Sequence, residues 1–107
     1  MFSFSSIGNK SFEDYIVSNK VNLYKAIYIY TREEKVSLNI LKITIEEACK
    51  NLRKFKNKPQ LKVFLINLIR EKSIAELKKT ELIDDIDLKD SLVNQLIEMY
   101  WEGDSNE

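Results

Sequence analysis

Residues 54–79 read KFKNKPQLKVFLINLIREKSIAELKK, and this stretch is the most informative about the fold. Five of the seven residues from 54 to 60 are basic or carry a side-chain amide, and Pro59 lies among them. An apolar run follows from 63 to 69 and is interrupted only by Asn67. Proline suits the first turn of a helix, where its missing N–H would have no partner anyway. The stretch therefore predicts a polar, basic loop and then a long helix from about Pro59 to Lys79, mostly buried in its first half.

The composition fits one all-α domain. The chain has 107 residues, of which 44% are hydrophobic and 32% charged, and it contains two glycines and one proline. So few turn formers argue against a β fold. A single cysteine, Cys49, provides no disulfide framework, so we expect a cytoplasmic protein. No apolar run approaches the roughly 20 residues of a membrane span, and we expect no contact with a membrane.

The remaining apolar spacing predicts three further helices. Ser11 is a candidate N-cap for a first helix whose apolar positions continue to Tyr30. The sequence Thr31-Arg32-Glu33-Glu34 resembles a capping box and should start a second helix. That second helix carries one narrow apolar seam with steps of three and four: Leu38, Leu41, Ile45, Ala48, Leu52 and Phe55.

The C-terminal part predicts a separate amphipathic helix. It begins at about Asp87 or Leu88, ends near Trp101, and is followed by Gly103 as a stop signal. The predicted organisation is a flexible N-terminus (1–10), a helical domain (11–80), and an acidic linker with the last helix (81–107). That helix either docks on the body or presents an aromatic face to another chain.

Most catalytic chemistry is excluded by composition. The chain has no histidine and one cysteine, so a single chain cannot build the usual zinc sites or a Ser-His or Cys-His nucleophile. It has no glycine-rich phosphate loop. The group Asp84, Asp85 and Asp87 is either a weak divalent-cation site or the ordinary acidity of a linker. We expect no enzyme, no cofactor and no resident metal.

The net charge of zero conceals two oppositely charged parts. Residues 1–80 carry 16 basic and 8 acidic residues, whereas residues 81–107 carry Lys89 and nine acids. Nucleic acid is the usual partner of a basic body. An ordinary solvated surface is the alternative interpretation. A further hypothesis is that the acidic part from Glu81 folds over the basic helix and competes with nucleic acid for it.

Residues 12–79 resemble region 2 of bacterial RNA polymerase sigma factors of the small extracytoplasmic-function type. The segment SFEDYIVSNKVNLYKAIYIY resembles the opening helix of that domain. The segment LKVFLINLIREKSIAELKK is similar, without a gap, to the family pattern of Phe-Arg-Ala-Trp-Leu followed by an Ile-Ala-Arg-Asn step and a basic pair. Lys62 takes the place of the arginine and Phe64 that of the tryptophan. Leu65 and Arg70 are unchanged.

The sequence also departs from the family. The acidic positions of the second helix, which bind core polymerase in the family, are here Val36, Asn39 and Lys42. Glu71 replaces an asparagine late in the third helix. The promoter-reading region 4 is not complete, because only LIEMYWEGDSNE resembles its beginning.

The resemblance implies a three-helix bundle of the sigma region 2 type, with the C-terminal helix added. It implies that the third helix and the preceding loop bind the single-stranded non-template strand of the −10 promoter element. The candidate DNA-binding residues are Lys54, Lys56, Asn57, Lys58, Gln60, Lys62, Phe64, Arg70, Lys78 and Lys79. Among them the charged residues would contact the phosphate backbone of the DNA strand. Asn57 and Gln60 would read base edges, and Phe64 would stack on a base or pack in the core.

The same resemblance implies protein partners. The clamp of core RNA polymerase would be bound by the outer face of the second helix, which carries Asn39, Lys42, Ile43, Glu46 and Lys50. An anti-sigma factor or a separate region 4 protein are further candidate partners. The alternative from another functional class is a sigma-like regulatory protein that acts through protein contacts without DNA binding, for example by its Tyr100 and Trp101 face or its Ile43 face.

Overall fold

The computed structural model describes residues 10–80 and 84–104. Regular structure in these ranges is helical throughout, which confirms the all-α prediction. A 3₁₀ turn, Leu52–Lys54, connects the third and fourth of the five α-helices described. The α-helices are α1 (Lys10–Ser18), α2 (Lys20–Thr31), α3 (Glu34–Lys50), α4 (Lys58–Thr80) and α5 (Ile86–Tyr100).

Helix α2 lies at the centre of the bundle. It packs against α3, α4 and α5, while α3 also packs against α4 and α1 contacts α2 and α4. Its buried residues Leu23, Ala26, Ile27 and Tyr30 recur at the steps of three and four that place side chains on one helix face. The shortest dimension of the molecule is 20 Å, about two helix diameters. The bundle is therefore two layers thick.

The predicted first helix is divided into α1 and α2 at Asn19. The amide N–H of Asn19 donates to the carbonyl of Ile16, three residues back, at 3.1 Å. The side chain of Asn19 is fully buried and bonds to the carbonyl of Tyr15 and to the backbone of Glu102. A continuous helix was the wrong prediction because apolar spacing carries no information on this distant polar contact. Of the predicted flexible residues 1–10, residues 1–9 lie outside the described ranges, and Lys10 is the first residue of α1.

The predicted capping box at Thr31 is wrong. Thr31 is the last residue of α2, and Arg32 adopts a left-handed conformation with φ of 60° that ends the helix. The Thr31 hydroxyl accepts a hydrogen bond from the Glu33 N–H at 3.2 Å and lies 2.6 Å from the Ser37 hydroxyl. Thr31 thus closes the turn between two helices, whereas Glu33 precedes α3 in an extended conformation without a side-chain cap.

The buried face of α3 differs from the predicted seam in its first half. Ile45, Ala48 and Leu52 are buried as predicted, but Leu38 is 49% exposed. Ser37, Ile40 and Thr44 are buried in place of Leu38. The small side chains of Ser37 and Thr44 permit close helix packing there, and a rule that counts apolar residues alone overlooks them.

Helix α4 begins one residue before Pro59 and ends one residue after Lys79, so its predicted bounds hold. It buries Leu61, Leu65 and Ile69 completely. Helix α5 likewise matches its prediction within two residues, and it docks on α2 through Val93 and Ile97. Of the two alternatives for this helix, docking on the body is the one observed.

Candidate nucleic-acid interface

The chain from 48 to 70 carries seven basic residues and no acidic residue. This segment contains the 3₁₀ turn, the loop that follows it and the first half of α4. Arg53, Lys54 and Lys56 are exposed in the turn and loop. The positive end of the α4 dipole adds to their charge. The beginning of α4 therefore presents exposed positive charge, which would attract a phosphate backbone.

Asn57 and Gln60 hold the beginning of α4 together. The Gln60 N–H donates to Asn57 Oδ1 at 3.0 Å, and the Lys56 N–H donates to Gln60 Oε1 at 2.8 Å. This arrangement is a reciprocal cap of the kind that satisfies the first amide groups of a helix. Both side-chain oxygens thus have a structural role. Reading of base edges by these two residues would have to use their amide N–H groups or break the cap.

Phe64 packs against Phe55. The two ring centroids are 5.0 Å apart, with the planes tilted by 59°, and both residues are half-buried beside the core. This pair joins the loop to α4. Of the two roles considered for Phe64, the structure shows the packing role, and stacking on a base would require Phe64 to leave its contact with Phe55.

Lys62 faces the C-terminal segment. Its ammonium forms an ion pair with Asp104 and lies 5.6 Å from the centroid of the Trp101 ring. Lys58 is close by, with its ammonium 5.5 Å from the centroid of the Tyr15 ring. The side chain of Lys62 is only 25% exposed, so its charge is largely directed within the molecule.

Arg70 is held by Asp90 of α5. Its Nε and Nη2 donate to the two carboxylate oxygens, each at 2.9 Å, in the bidentate geometry that favours arginine. The Tyr30 hydroxyl donates to the same carboxylate at 2.6 Å. The hydrogen bonds from Arg70 lower the pKa of Asp90, with a smaller effect from Tyr30. Burial and the neighbouring carboxylate raise the pKa of Tyr30.

The ten candidate DNA-binding residues therefore do not form one continuous track. Lys62, Arg70 and Lys78 are spaced eight residues apart, so each is rotated by about 80° from the one before. Lys78 and Lys79 are exposed at the far end of α4, about 30 Å from its beginning. Lys79 lies 3.7 Å from Glu76. Exposed basic residues lie together at the beginning of α4, whereas farther along the helix Lys62 and Arg70 are paired with Asp104 and Asp90.

The candidate polymerase-binding residues share one side of α3. Asn39, Lys42 and Lys50 are exposed, and Ile43 and Glu46 are half-buried. Glu47 lies one turn from both Ile43 and Lys50. It is 3.3 Å from Lys72 and links α3 to α4. The five residues therefore lie together on one surface, and that surface carries both positive and negative charge.

Sequence patterns missed a polar cluster that fixes the C-terminal segment. Asn22 Nδ2 donates to the carbonyl of Tyr100 at 2.9 Å, and Trp101 Nε1 donates to the Tyr15 hydroxyl at 2.7 Å. That hydroxyl donates to Asp104 at 2.9 Å. Burial, the main cause, raises the pKa of Tyr15 to about 12. Two asparagines three residues apart within an apolar helix pattern were the available signal.

Comparisons of the chain with known protein families, with curated proteins and with solved structures give no significant match. Within residues 10–80 and 84–104, no helix has both the length and the apolar composition to cross a membrane. The same ranges contain no group of three or more acidic or cysteine residues arranged to hold a metal ion.

Proposed function

We propose that this protein is a sigma-like transcription initiation factor. Its helical body binds core RNA polymerase through the outer side of α3, and it binds the single-stranded −10 promoter element at the beginning of α4. The observation that carries the proposal is the run of seven basic and no acidic residues from 48 to 70, with Arg53, Lys54 and Lys56 exposed beside α4. The resemblance of residues 12–79 to sigma region 2 supports it.

The surface at the beginning of α4 is suited to binding single-stranded nucleic acid. Proteins that hold unpaired nucleic acid use a positive groove along the backbone and apolar or aromatic surface beside it. A shallow groove at the beginning of α4 is lined by Lys54, Phe55, Pro59, Gln60 and Val63. Val63 is 57% exposed. The groove therefore combines charge with the apolar surface on which a base can rest.

The test is binding of a fluorescent non-template −10 oligonucleotide at increasing salt, with and without core polymerase. Reversing two charges in Lys54→Glu/Lys56→Glu should reduce the slope of log affinity against log salt by about one to two. The matched control is Lys20→Glu/Lys35→Glu, which makes the same charge change at exposed positions on α2 and α3. Absence of binding at low salt with core polymerase present would refute the proposal.

A second candidate function is a sigma-like regulator that acts by protein contacts alone. The ion pairs of Lys62 and Arg70 with Asp104 and Asp90 favour it, because they occupy two residues that the DNA-binding proposal would use. Pull-down from cell extract distinguishes the two candidates. Recovery of polymerase subunits together with oligonucleotide binding supports the first. A stable partner such as an anti-sigma factor or a separate region 4 protein, without oligonucleotide binding, supports the second.

A further inference from the structure

Residues 49–57 read CKNLRKFKN, in which one pattern occurs three times: an apolar residue, a basic residue, and then asparagine or lysine. The apolar positions are Cys49, Leu52 and Phe55. We call the basic residues that follow them the triplet cations: Lys50, Arg53 and Lys56. In a 3₁₀ helix, side chains three residues apart lie on the same side. The repeat therefore indicates a turn with one apolar edge and one positive edge.

The turn between α3 and α4 has this period. The Asn51 N–H donates to the Ala48 carbonyl at 3.0 Å, and the Lys54 N–H donates to the Asn51 carbonyl at 2.9 Å. Each bond reaches three residues back, as in a 3₁₀ helix. Leu52 is buried, and the other two apolar residues of the repeat are half-buried beside the core. The triplet cations are exposed, so the charged edge of the turn faces solvent.

The side chains of the triplet cations have no ion-pair or hydrogen-bond partner among residues 10–80 and 84–104. Glu46 lies one turn before Lys50 and forms no ion pair with it. The basic residues farther along α4 differ, because four of the five from 62 to 79 are ion-paired. Those four are Lys62, Arg70, Lys72 and Lys79, whose partners are Asp104, Asp90, Glu47 and Glu76. Free positive charge is therefore concentrated at the turn and not along α4.

We infer that the triplet cations contact the phosphate backbone of the bound strand, which therefore crosses from the beginning of α4 to the carboxyl end of α3. This inference rests on the proposed single-strand binding and names the path of the strand. Basic side chains without an internal partner can neutralise phosphates directly, whereas Lys62 and Arg70 would first have to leave their carboxylate partners. Arg53 can also bind one phosphate through two hydrogen bonds, because its guanidinium is a planar fork of donors.

The spacing of the triplet cations suits a nucleotide chain. Three residues of 3₁₀ helix rise by about 6 Å, which is close to the separation of successive phosphates in an extended single strand. Lys50 and Arg53 can therefore contact neighbouring phosphates. Phe55 is in an extended conformation and leads the chain on to Lys56 and the beginning of α4.

The triplet cations adjoin the groove at the beginning of α4. Lys54, the residue after Arg53, lines that groove together with Phe55 and Val63. A strand whose phosphates are held by the triplet cations would have its bases within reach of the apolar surface of the groove. Lys50 and Arg53 thus enter the DNA-binding surface, although the resemblance to sigma region 2 assigns neither of them to DNA.

The experiment measures how binding of the full chain to a fluorescent single-stranded −10 oligonucleotide depends on salt, with and without core polymerase. Lys50→Gln/Arg53→Gln should reduce the slope of log affinity against log salt by about 1.4, because each lost phosphate contact removes about 0.7. Arg53→Gln alone should reduce the slope by about 0.7. Because Arg53 is not a candidate polymerase-binding residue, this single variant provides the test if binding requires polymerase.

Lys78→Gln/Lys79→Gln is the matched control. It makes the same charge change at exposed positions at the far end of α4 and should reduce the slope by less than about 0.3. Circular dichroism of each variant checks that it is folded. A parent chain that binds no oligonucleotide under either condition would refute the proposed function and the inference together. Binding by the parent chain with an unchanged slope in Lys50→Gln/Arg53→Gln, or with an equal reduction in the control, would overturn the inference alone.

Discussion

Asn19 and Glu102 are joined by two reciprocal hydrogen bonds across 83 residues of sequence. Asn19 Nδ2 donates to the Glu102 carbonyl at 2.8 Å, and the Glu102 N–H donates to Asn19 Oδ1 at 2.8 Å. The side-chain amide of Asn19 thus pairs with the backbone of Glu102 as donor and as acceptor, in the way that a backbone peptide group would. Because the same side chain lies at the break in the first helical segment, both that break and the position of Glu102 depend on one residue.

Replacing Asn19 should therefore destabilise the whole fold. Asn19→Asp retains the shape but removes the amide donor and places a carboxylate against the carbonyls of Tyr15 and Glu102. We expect the free energy of unfolding in urea to fall by roughly 1–3 kcal/mol, the cost of leaving buried polar groups unpaired. Asn94→Asp, on the exposed side of α5, is the control and should change it by less than about 0.5 kcal/mol. Equal effects of the two substitutions would contradict this role of Asn19.

Gly103 is required for the C-terminal segment to reach Tyr15. Its φ is +90°, and a Cβ atom there would lie 2.8 Å from Cδ1 of the Tyr15 ring. Gly103→Ala should therefore displace the segment, at a cost of about 1–2 kcal/mol for the backbone conformation alone. The single tryptophan, Trp101, packs edge-on against Tyr15 with ring centroids 5.8 Å apart.

Trp101 fluorescence measures that displacement directly. In Gly103→Ala the emission should shift to the red and become more accessible to a soluble quencher, because the indole loses its contact with Tyr15. Gln95→Ala, an exposed change on α5, should leave the spectrum as in the parent chain. An unchanged Gly103→Ala spectrum would mean that the segment tolerates the added methyl group.

Asp90 should make stability depend on pH in the acid range. Hydrogen bonds from Arg70 lower its pKa from the ordinary value of 3.8, so the ionised form is favoured in the folded state. The resulting stability is complete above the unfolded pKa and is lost as pH falls through the lower folded value. Both side chains are partly exposed, so we expect only about 1 kcal/mol from the pair at neutral pH.

Asp90→Asn measures the contribution of the Asp90 carboxylate. The difference in unfolding free energy between the parent chain and Asp90→Asn should be largest near neutral pH and shrink below about pH 4. A double-mutant cycle with Arg70→Met, which removes the charge and the donors, isolates the pair from the contact of Asp90 with Tyr30. A difference independent of pH would show that the charge of Asp90 is not what matters.

Replacing Thr44 by an apolar residue of similar shape should stabilise the fold. Its side chain is fully buried in α3, and its hydroxyl has no hydrogen-bond partner among the described residues. Thr44→Val removes an unpaired buried polar group and nearly preserves the shape, so unfolding free energy should rise by about 1 kcal/mol. The control is Thr80→Val, because the Thr80 hydroxyl donates to the Leu77 carbonyl at 3.0 Å, and its loss should not stabilise. A destabilised Thr44→Val would argue for an unrecognised role of that hydroxyl.

The C-terminal carboxylates should compete with nucleic acid for α4, if the proposed DNA binding is correct. Removing the segment after Thr80 would test this poorly, because it also removes the core residues Val93 and Ile97. Asp90→Asn/Asp104→Asn leaves the packing in place and releases Arg70 and Lys62. Its affinity for the oligonucleotide should exceed that of Asp84→Asn/Asp87→Asn, an equal charge change at exposed positions. Equal affinities would remove the idea of competition.

Local features of the chain predict the helical class and the positions of α4 and α5. A proline near the start, a long apolar run and the near absence of glycine are local features, and local features suffice to begin and end a helix. The functional expectations from the charged residues were also local, and the structure changed them most. Lys62, Arg70, Asn57 and Gln60 are polar residues with partners within the molecule, which no periodicity displays.

Three features could not be predicted from local patterns: the break at Asn19, the buried face of α3 and the pairing of α4 with the C-terminal segment. Each depends on a contact between residues far apart in the chain, such as Asn19 with Glu102 or Arg70 with Asp90. Apolar spacing describes which side of one helix avoids water. It does not specify which buried amide meets which carbonyl, because that is set by how the helices lie against one another.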